Sequence, residues 1–224
     1  NRYDKSTGLF QNHTASDAQS DGLTHSSIWC IVKDNQGTLW LGTYFGGVNY
    51  FNPEYEIYTR YSYSSNEKQG LSNPVVGRTI EDKNGNLWIG TEGGGLNYFN
   101  RRTREFKWYR PQEGRNSISH NNVKALYYDA DKEIIWIGTH LGGLNRLDIR
   151  SGHFTHYRME DNNRQTLPSD IVRDIIPYKD LLIVATQNGV CLFDPDSGKC
   201  RQLFKDSKEG KSIKMVADIL LDSE

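Results

Sequence analysis

The sequence predicts an all-β fold, a β-propeller built from four-stranded antiparallel blades. A segment centred on tryptophan recurs at an interval of 48 residues, at Trp40, Trp88 and Trp136. Glycine (21 of 224 residues) and aromatic residues (12%) are abundant, as expected for many short strands joined by tight turns. Repeats of about 40 to 50 residues with four strands each are typical of propellers.

Each repeat contains four short runs of β-branched and aromatic residues. In the first copy the predicted strands are 28–33, 39–43, 48–51 and 57–61, with turns at DNQG and NPEYE between strands. The first strand recurs in VGRTIED (76–82), VKALYYD (123–129), VRDIIP (172–177) and VADILLD (216–222). The predicted blades are 24–61, 72–109, 119–157 and 169–204. A single sheet of this kind cannot bury both apolar faces, so we expect the blades to stack face to face.

The two ends of the chain predict a partial fifth blade, from residues 1–13 and 212–224. Residues 1–13 align with 145–157, the end of a third strand and a fourth strand, and VADILLD is a first strand. Two interpretations remain open. Either the two ends share one closing blade in a five-bladed ring, or the chain is a piece of a larger ring, with strand edges and blade faces that favour self-association.

The composition excludes several classes of protein. With 27 basic and 28 acidic residues, the net charge of −1 gives no broad cationic field for nucleic acid. Apolar stretches run only a few residues, whereas a membrane helix needs about 18, so we expect no membrane segment in this chain. Its first residues show no basic stretch followed by an apolar one, so we expect any export signal to have been removed or to lie outside this chain.

The repeat resembles the two-component regulator propeller repeat, through DNQGTLWLGTYFGGVNYF (34–51) and DKNGNLWIGTEGGGLNYF (82–99). The third copy has an altered turn, DADKE, and the fourth departs at Ile183, Ala185 and Gly189. The resemblance covers essentially the whole chain. It implies the periplasmic sensor region of a bacterial hybrid two-component histidine kinase, and its usual seven-bladed rings favour the larger-ring interpretation.

Residues that recur in every unit are expected to serve packing and turns. The tryptophans are core residues, and Gly42, Gly90 and Gly138 allow blades to approach closely. The glycine pairs 46/47, 94/95 and 142/143 supply positive φ. Asn49, Asn97 and Asn145 satisfy backbone groups, and Asp34, Asp82 and Asp129 form turns.

A ligand site is predicted where the copies differ, in two sets of loops at one end of the blades. We call the loops before each first strand the leading loops, and those between second and third strands the middle loops. Their aromatic, amide, carboxyl and imidazole groups suit a polyhydroxylated ligand, with an ordinary solvated rim as the alternative. The candidates are His25, Tyr44, Phe45, Asn73, Glu92, His120, Asn122, His140, Asp170 and Gln187.

No catalytic residue, metal site or cofactor is predicted. The sequence contains no Ser-His-Asp order, HExxH or phosphate-binding glycine loop. His25 and His120 occupy equivalent places, but metal ligation would need a third ligand that the sequence does not indicate. Cys191 and Cys200 flank the DPDSG turn, where a disulfide and two free thiols are both open alternatives.

The resulting functional hypothesis is a non-enzymatic periplasmic sensor propeller that binds an oligosaccharide. Its expected partners are the remaining blades and the signalling domains of a parent protein, including a histidine kinase outside this chain, and a homodimer. A protein-interaction propeller without a small ligand is the first alternative. A propeller polysaccharide lyase or hydrolase is the second.

Overall fold

Four antiparallel sheets of four strands each form most of the fold. The structure is a computed structural model, and it describes residues 2–15, 22–52, 57–204 and 215–221. A hairpin of β1 (Arg2–Asp4) and β2 (Leu9–Gln11) precedes the first sheet, which contains β3 (Ile28–Lys33), β4 (Leu39–Thr43), β5 (Val48–Asn52) and β6 (Ile57–Tyr61). The second contains β7 (Val76–Glu81), β8 (Leu87–Thr91), β9 (Leu96–Asn100) and β10 (Glu105–Tyr109). The third contains β11 (Val123–Asp129), β12 (Ile134–Thr139), β13 (Leu144–Asp148) and β14 (Phe154–Tyr157). The fourth contains β15 (Val172–Tyr178), β16 (Leu181–Thr186), β17 (Gly189–Asp194) and β18 (Lys199–Gln202).

The strands follow each other within each sheet in chain order, each antiparallel to the last, which confirms the predicted propeller blades. A short 3-10 helix, Glu67–Gln69, lies between the first and second blades. The first strands of successive blades lie beside one another, β3 next to β7, β7 next to β11, and β11 next to β15. The predicted turn at NPEYE falls largely on residues 53–56, which lie outside the described residues.

The hydrophobic core consists of layers between neighbouring blades. Between the first and second, Trp40 packs against Phe99, with ring centroids 6.1 Å apart. Between the third and fourth, Trp136 packs against Phe193 at 5.4 Å. Because these layers join residues from two blades, each blade depends on its neighbour to remove its apolar face from water.

Glycine in the second strand permits this close packing. A Cβ built on Gly90 would lie 2.6 Å from Val123 Cγ1 of the next blade, and one on Gly42 or Gly138 would meet a valine at the same distance. In each middle-loop pair only the second glycine has positive φ, between +72° and +79° at Gly47, Gly95 and Gly143. The first of each pair is packed against a side chain of the leading loop; a Cβ on Gly46 would lie 2.2 Å from Thr24 Oγ1.

The chain ends differ from the prediction in one respect. Residues near the N-terminus form the predicted hairpin of β1 and β2. Residues 215–221, expected to be a first strand, are not in a strand, and 212–214 and 222–224 lie outside the described residues. In the four blades a first strand pairs with the second strand of its own sheet, and the described residues give 215–221 no such strand. β1 and β2 therefore form a two-stranded sheet of their own, and the C-terminal segment docks beside the fourth blade through single hydrogen bonds.

Cys191 and Cys200 are free thiols in contact, with the Sγ atoms 3.4 Å apart. They are not directly opposite each other on the hairpin, because the register pairs Cys200 with Phe193 and Cys191 with Gln202. Both are buried in the layer between the third and fourth blades. Mutual hydrogen bonding and burial raise the pKa of the Cys191 thiol, so both act as small apolar groups.

Candidate functional site

The leading and middle loops meet at one end of the blades. Within each blade the first amide of the middle loop donates to the last carbonyl of the leading loop. These bonds are Tyr44 N to Ser27 O (3.0 Å), Glu92 N to Val75 O (3.0 Å), His140 N to Asn122 O (2.9 Å) and Gln187 N to Ile171 O (2.9 Å). Bonds to the next blade follow the same pattern, including Gly95 N to Asn121 O at 2.7 Å. The variable positions are thus held on one continuous backbone network.

The residue three positions before each first strand binds its own backbone, although its chemical type varies between blades. Each side chain accepts a hydrogen bond from the amide two residues further on. The acceptors are His25 Nδ1 (3.0 Å), Asn73 Oδ1 (2.8 Å), His120 Nδ1 (3.0 Å) and Ser169 Oγ (3.1 Å). This is the turn-forming behaviour of short polar side chains, and it leaves Nε2 as the ring nitrogen of each histidine that is not used in the turn.

A polar cavity of about 470 Å³ lies where the first strands begin. Each first strand has a β-bulge near its second residue, and bulged residues point out of the regular ladder. The residues that the bulges aim into the cavity are Trp29, Arg78, Lys124 and Arg173. Glu92 from a middle loop and Asp218 from the C-terminal segment complete its polar lining. The volume is within the range of small-molecule sites, about 300–1,000 Å³.

Three exposed aromatic rings form a cluster beside this cavity. Trp29 stacks on Tyr44, with centroids 5.0 Å apart and planes inclined by 29°. Phe45 meets Tyr44 edge-on at 4.6 Å. Trp29, Tyr44 and Phe45 are 48%, 38% and 57% exposed, so their ring surface is available to a ligand. His25 lies nearby, its ring centroid 6.3 Å from that of Tyr44.

Two of the predicted residues bind basic side chains that line the cavity. Glu92 forms an ion pair with Lys124, and both side chains are partly buried. Gln187 accepts hydrogen bonds from Arg173 through Nε, at 3.0 Å, and Nη2. The side chains of these middle-loop residues therefore orient charged groups that sequence analysis did not select.

The remaining predicted residues lie along the rim. The rings of His120 and His140 are 6.3 Å apart. Burial lowers the pKa of His120, and charge on His140 and Arg158 lowers it further. Asn122 pairs with Glu92 through an isolated backbone bridge, and Asp170 Oδ1 accepts the Met159 amide at 2.7 Å. Both contacts support the loops at the rim.

Recurring asparagines tie the third strands to the leading loops. Asn97 Oδ1 accepts the Ser72 amide at 2.8 Å, and Nδ2 donates to Ser72 Oγ at 2.8 Å. Asn49 bonds Thr24 in the same way. Asn145 Oδ1 accepts the Ser119 amide at 2.9 Å, while Ser119 Oγ donates instead to Gly142 O. All three asparagines are fully buried, and Trp40, Trp88 and Trp136 are at most 3% exposed.

Comparison with known proteins identifies the repeat. Residues 22–45, 70–93 and 117–140 match the family described as two component regulator propeller. These three segments match two-component regulator propeller repeats. Each match begins in a leading loop and ends in a middle loop, so it includes one first and one second strand. No curated protein is significantly similar to the chain.

Solved structures share the fold of these repeats. The extracellular domain of BT3049 from B. thetaiotaomicron, described as a hybrid two component system, superposes with a TM-score of 0.69 at 24% identity, over 80% of this chain and 25% of that one. PorZ, a surface component of the type-IX secretion system of Porphyromonas gingivalis, gives 0.64 at 21% identity, over 88% and 30%. The extracellular domain of BT4673 from B. thetaiotaomicron gives 0.59 at 21% identity, over 90% and 34%. This chain thus spans about a quarter to a third of the length of the proteins in these structures.

Sequence reasoning missed the cavity-lining residues of the first strands. Trp29, Arg78, Lys124 and Arg173 were grouped with strands that the repeat marks as core. A signal was present, because the second and third positions of the aligned first strands differ between copies, whereas the first position is always Ile or Val. A comparison of the repeat copies within the first strands, in addition to the loops, would select these four cavity-lining residues.

The described residues contain no group of three or more His, Cys, Asp or Glu side chains arranged to hold a metal ion. In the same part of the chain, none of the helices has the length and apolar character needed to cross a membrane.

Proposed function

We propose that this chain is a ligand-binding, non-catalytic part of the extracytoplasmic propeller of a hybrid two-component histidine kinase, and that it senses an oligosaccharide. The repeat family and the extracellular domains that share its fold support this setting. In this setting the chain is part of a longer parent protein, and its partners are the further blades and the signalling domains of that protein, including a kinase. The location is periplasmic.

The observation that carries the ligand proposal is the aromatic cluster beside a polar cavity. Sugars present apolar C–H faces that pack on aromatic rings, and hydroxyl groups that need donors and acceptors at fixed places. Trp29, Tyr44 and Phe45 supply the rings, and the Glu92–Lys124 pair supplies both an acceptor and a donor. Side chains from four blades contribute to the cavity, so a bound sugar changes the free energy of one blade arrangement relative to another.

Thermal unfolding with an oligosaccharide panel tests the proposal. At a concentration one hundred times Kd, a ligand stabilises the folded chain by about 2.7 kcal/mol, or roughly 5–10 °C in Tm. Tyr44→Ala should abolish the shift. Tyr178→Ala is the matched control, because Tyr178 is also 38% exposed but lies at the end of β15. Absence of a shift with every sugar contradicts the proposal, and cleavage of a sugar that is lost in His120→Ala assigns a lyase or hydrolase activity instead.

A second candidate function, contact with a second copy of this chain, is favoured by exposed apolar side chains near the N-terminus. Leu9 and Phe10 of β2 are 69% and 67% exposed, and Ile31 of β3 is 60% exposed. Such side chains stabilise an interface when another surface covers them. Sedimentation velocity should then show a dimer that Phe10→Ser converts to monomer. A wild-type monomer at all concentrations contradicts this candidate.

A further inference from the structure

Three cations are brought together by bulges that lie on three different blades. Arg78, Lys124 and Arg173 occupy the second or third position of β7, β11 and β15, and all three line the cavity. In a regular first strand these positions would continue the ladder. The bulges instead aim three long basic side chains at one volume, although the chain as a whole has a net charge of −1.

The three cations differ in how they are neutralised. Lys124 is paired with Glu92. Arg78 Nη2 lies 3.1 Å from an oxygen of Asp218 and 3.7 Å from one of Asp174. Arg173 bonds the amide oxygen of Gln187, which carries no charge. Among the described residues that line the cavity, Arg173 is the cation whose side-chain partner is neutral.

The guanidinium of Arg173 keeps a second binding edge. Gln187 occupies the edge formed by Nε and Nη2. A guanidinium carries five N–H donors, and no hydrogen bond from a described residue reaches Nη1, so the edge formed by the two terminal nitrogens is left for another acceptor. A carboxylate matches that edge with two parallel hydrogen bonds, and such charge-assisted pairs are about twice as strong as neutral ones.

We infer that the cavity selects an acidic oligosaccharide, one whose uronate carboxylate binds the terminal nitrogens of Arg173 while the chain of sugars extends toward Trp29 and Tyr44. This inference rests on the function proposed above and names the class of sugar. The ligand carboxylate supplies the negative charge that Gln187 does not. The Glu92–Lys124 pair remains in place and meets the hydroxyl groups of the neighbouring sugar.

Isothermal titration calorimetry with matched ligands tests the inference. The probes are tetrasaccharides of hyaluronan, alginate and polygalacturonate, each alongside its carboxyl-reduced counterpart, which has the same linkages and no charge. For the oligosaccharide that binds, we expect the acidic form to bind at least about tenfold more tightly than the reduced form. Its affinity should fall as salt is added, whereas that of the reduced form should not.

Arg173→Gln provides the protein side of the same comparison. It should lower affinity for the acidic ligand about tenfold and leave the reduced ligand unaffected, because only the carboxylate interaction is removed. Arg201→Gln, on the exposed surface of β18, is the control and should change neither. Should Arg173→Gln fail to fold, as judged by circular dichroism, the ligand pair and the salt dependence measured on the wild-type chain still decide the question.

Three results overturn the inference. Equal affinity for acidic and reduced ligands removes the acidic preference but leaves the proposed sugar-binding function intact. Binding of sulfated carrageenan tetrasaccharides, with no binding of any uronate, assigns the anion to a sulfate. Binding of no oligosaccharide, acidic, sulfated or neutral, overturns the inference and the proposed function together.

Discussion

One side chain in each leading loop accepts a hydrogen bond from the backbone amide two residues further along the chain, although its chemical type varies. These residues are His25, Asn73, His120 and Ser169. A short side chain with an acceptor at the right distance is sufficient for this turn. What distinguishes His120 is its surroundings. Its ring is partly buried and lies 6.3 Å from that of His140, which lowers its pKa.

Replacing His120 should change how stability depends on pH. Because the folded pKa of His120 lies below the ordinary histidine value of 6.5, the unfolded chain binds more protons between the two pKa values. Stability therefore rises with pH across that window and falls on acidification below about 6.5. His120→Asn keeps a turn acceptor, as Asn73 shows in the second blade, and should flatten this dependence.

Thermal unfolding between about pH 7.5 and pH 5.5 measures the effect. His25→Asn makes the same exchange at the equivalent turn of the first blade and controls for the loss of a ring. Identical pH dependence in the wild type and His120→Asn contradicts the assignment.

Gly90 shows how tightly two blades approach. Gly90→Ala places a Cβ 2.6 Å from Val123 Cγ1, and we expect a loss of about 1–3 kcal/mol in the free energy of unfolding. In Gly90→Ala/Val123→Ala the new methyl group occupies space that the valine vacates. The double variant should therefore lose less than the sum of the two single losses, as measured by urea denaturation. Strict additivity is the result that would show the two residues to be independent.

At the scale of the element, the turn between β3 and β4 is organised by one carboxylate. Asp34 Oδ1 accepts the amides of Gln36 and Thr38, each at 2.9 Å. Its Oδ2 accepts the indole N–H of Trp40 at 2.8 Å and lies 3.0 Å from Arg101 Nη1 of the second blade. Asp82 repeats the turn in the second blade, where Trp88 Nε1 donates to it at 3.3 Å. The aspartate thus fixes the hairpin, the core tryptophan and the neighbouring blade together.

Removing that carboxylate should be costly. Asp34→Ala leaves the buried Trp40 N–H without this acceptor and removes one of the two carboxylates paired with Arg101, the other being Glu81, so we expect a loss of roughly 2–4 kcal/mol. Asp129→Ala is the matched control at the third hairpin, where the carboxylate accepts the Lys132 amide at 3.1 Å. It should cost about 1 kcal/mol or less. Chemical denaturation compares them, and equal losses argue against the role of Asp34.

At the scale of the whole molecule, the C-terminal segment joins blades that are distant in sequence. The Ile219 amide donates to Asp174 Oδ2 of the fourth blade at 2.9 Å. Arg78 of the second blade contacts Asp218 at 3.1 Å across the cavity. Burial raises the pKa of Asp174, and its hydrogen bond with Asp218 raises it further. Residues 215–221 thus close one side of the cavity through polar contacts.

Loss of the Asp174 acceptor should release this segment. In Asp174→Ala we expect hydrogen exchange of the Ile219 amide to accelerate several-fold, up to about tenfold, because the shorter of its two carboxylate hydrogen bonds is gone and only that to Asp218 Oδ1, at 3.1 Å, is left. Mass spectrometry of a peptide that covers 215–221 measures the rate. Asp180→Ala, in the exposed turn between β15 and β16, should leave it unchanged. Unchanged exchange in Asp174→Ala means that other contacts hold the segment.

The candidate site was only partly accessible from sequence. Comparing the variable loops selected Tyr44, Phe45, Glu92 and Gln187, whose side chains lie at or beside the cavity or contact its lining. The same comparison could not show that His25 Nδ1 and Asn73 Oδ1 each accept the amide two residues further on in their own turns. Nor could it show that Asp170 supports a neighbouring loop. Hydrogen-bond partners depend on side-chain direction, which spacing alone does not specify.

By itself the sequence determined the all-β class and the four-stranded blade. In the first blade the predicted strands 28–33, 39–43 and 57–61 match the structure, whereas the strand predicted at 48–51 extends one residue further, to Asn52. Strand alternation and turn residues act over a few positions, and 48-residue repetition reinforces them. Only the tertiary structure decided that Trp29, Arg78, Lys124 and Arg173 share one cavity. The reason is that stacking brings together strands about 48 residues apart, and a bulge in each turns its side chain out of the ladder.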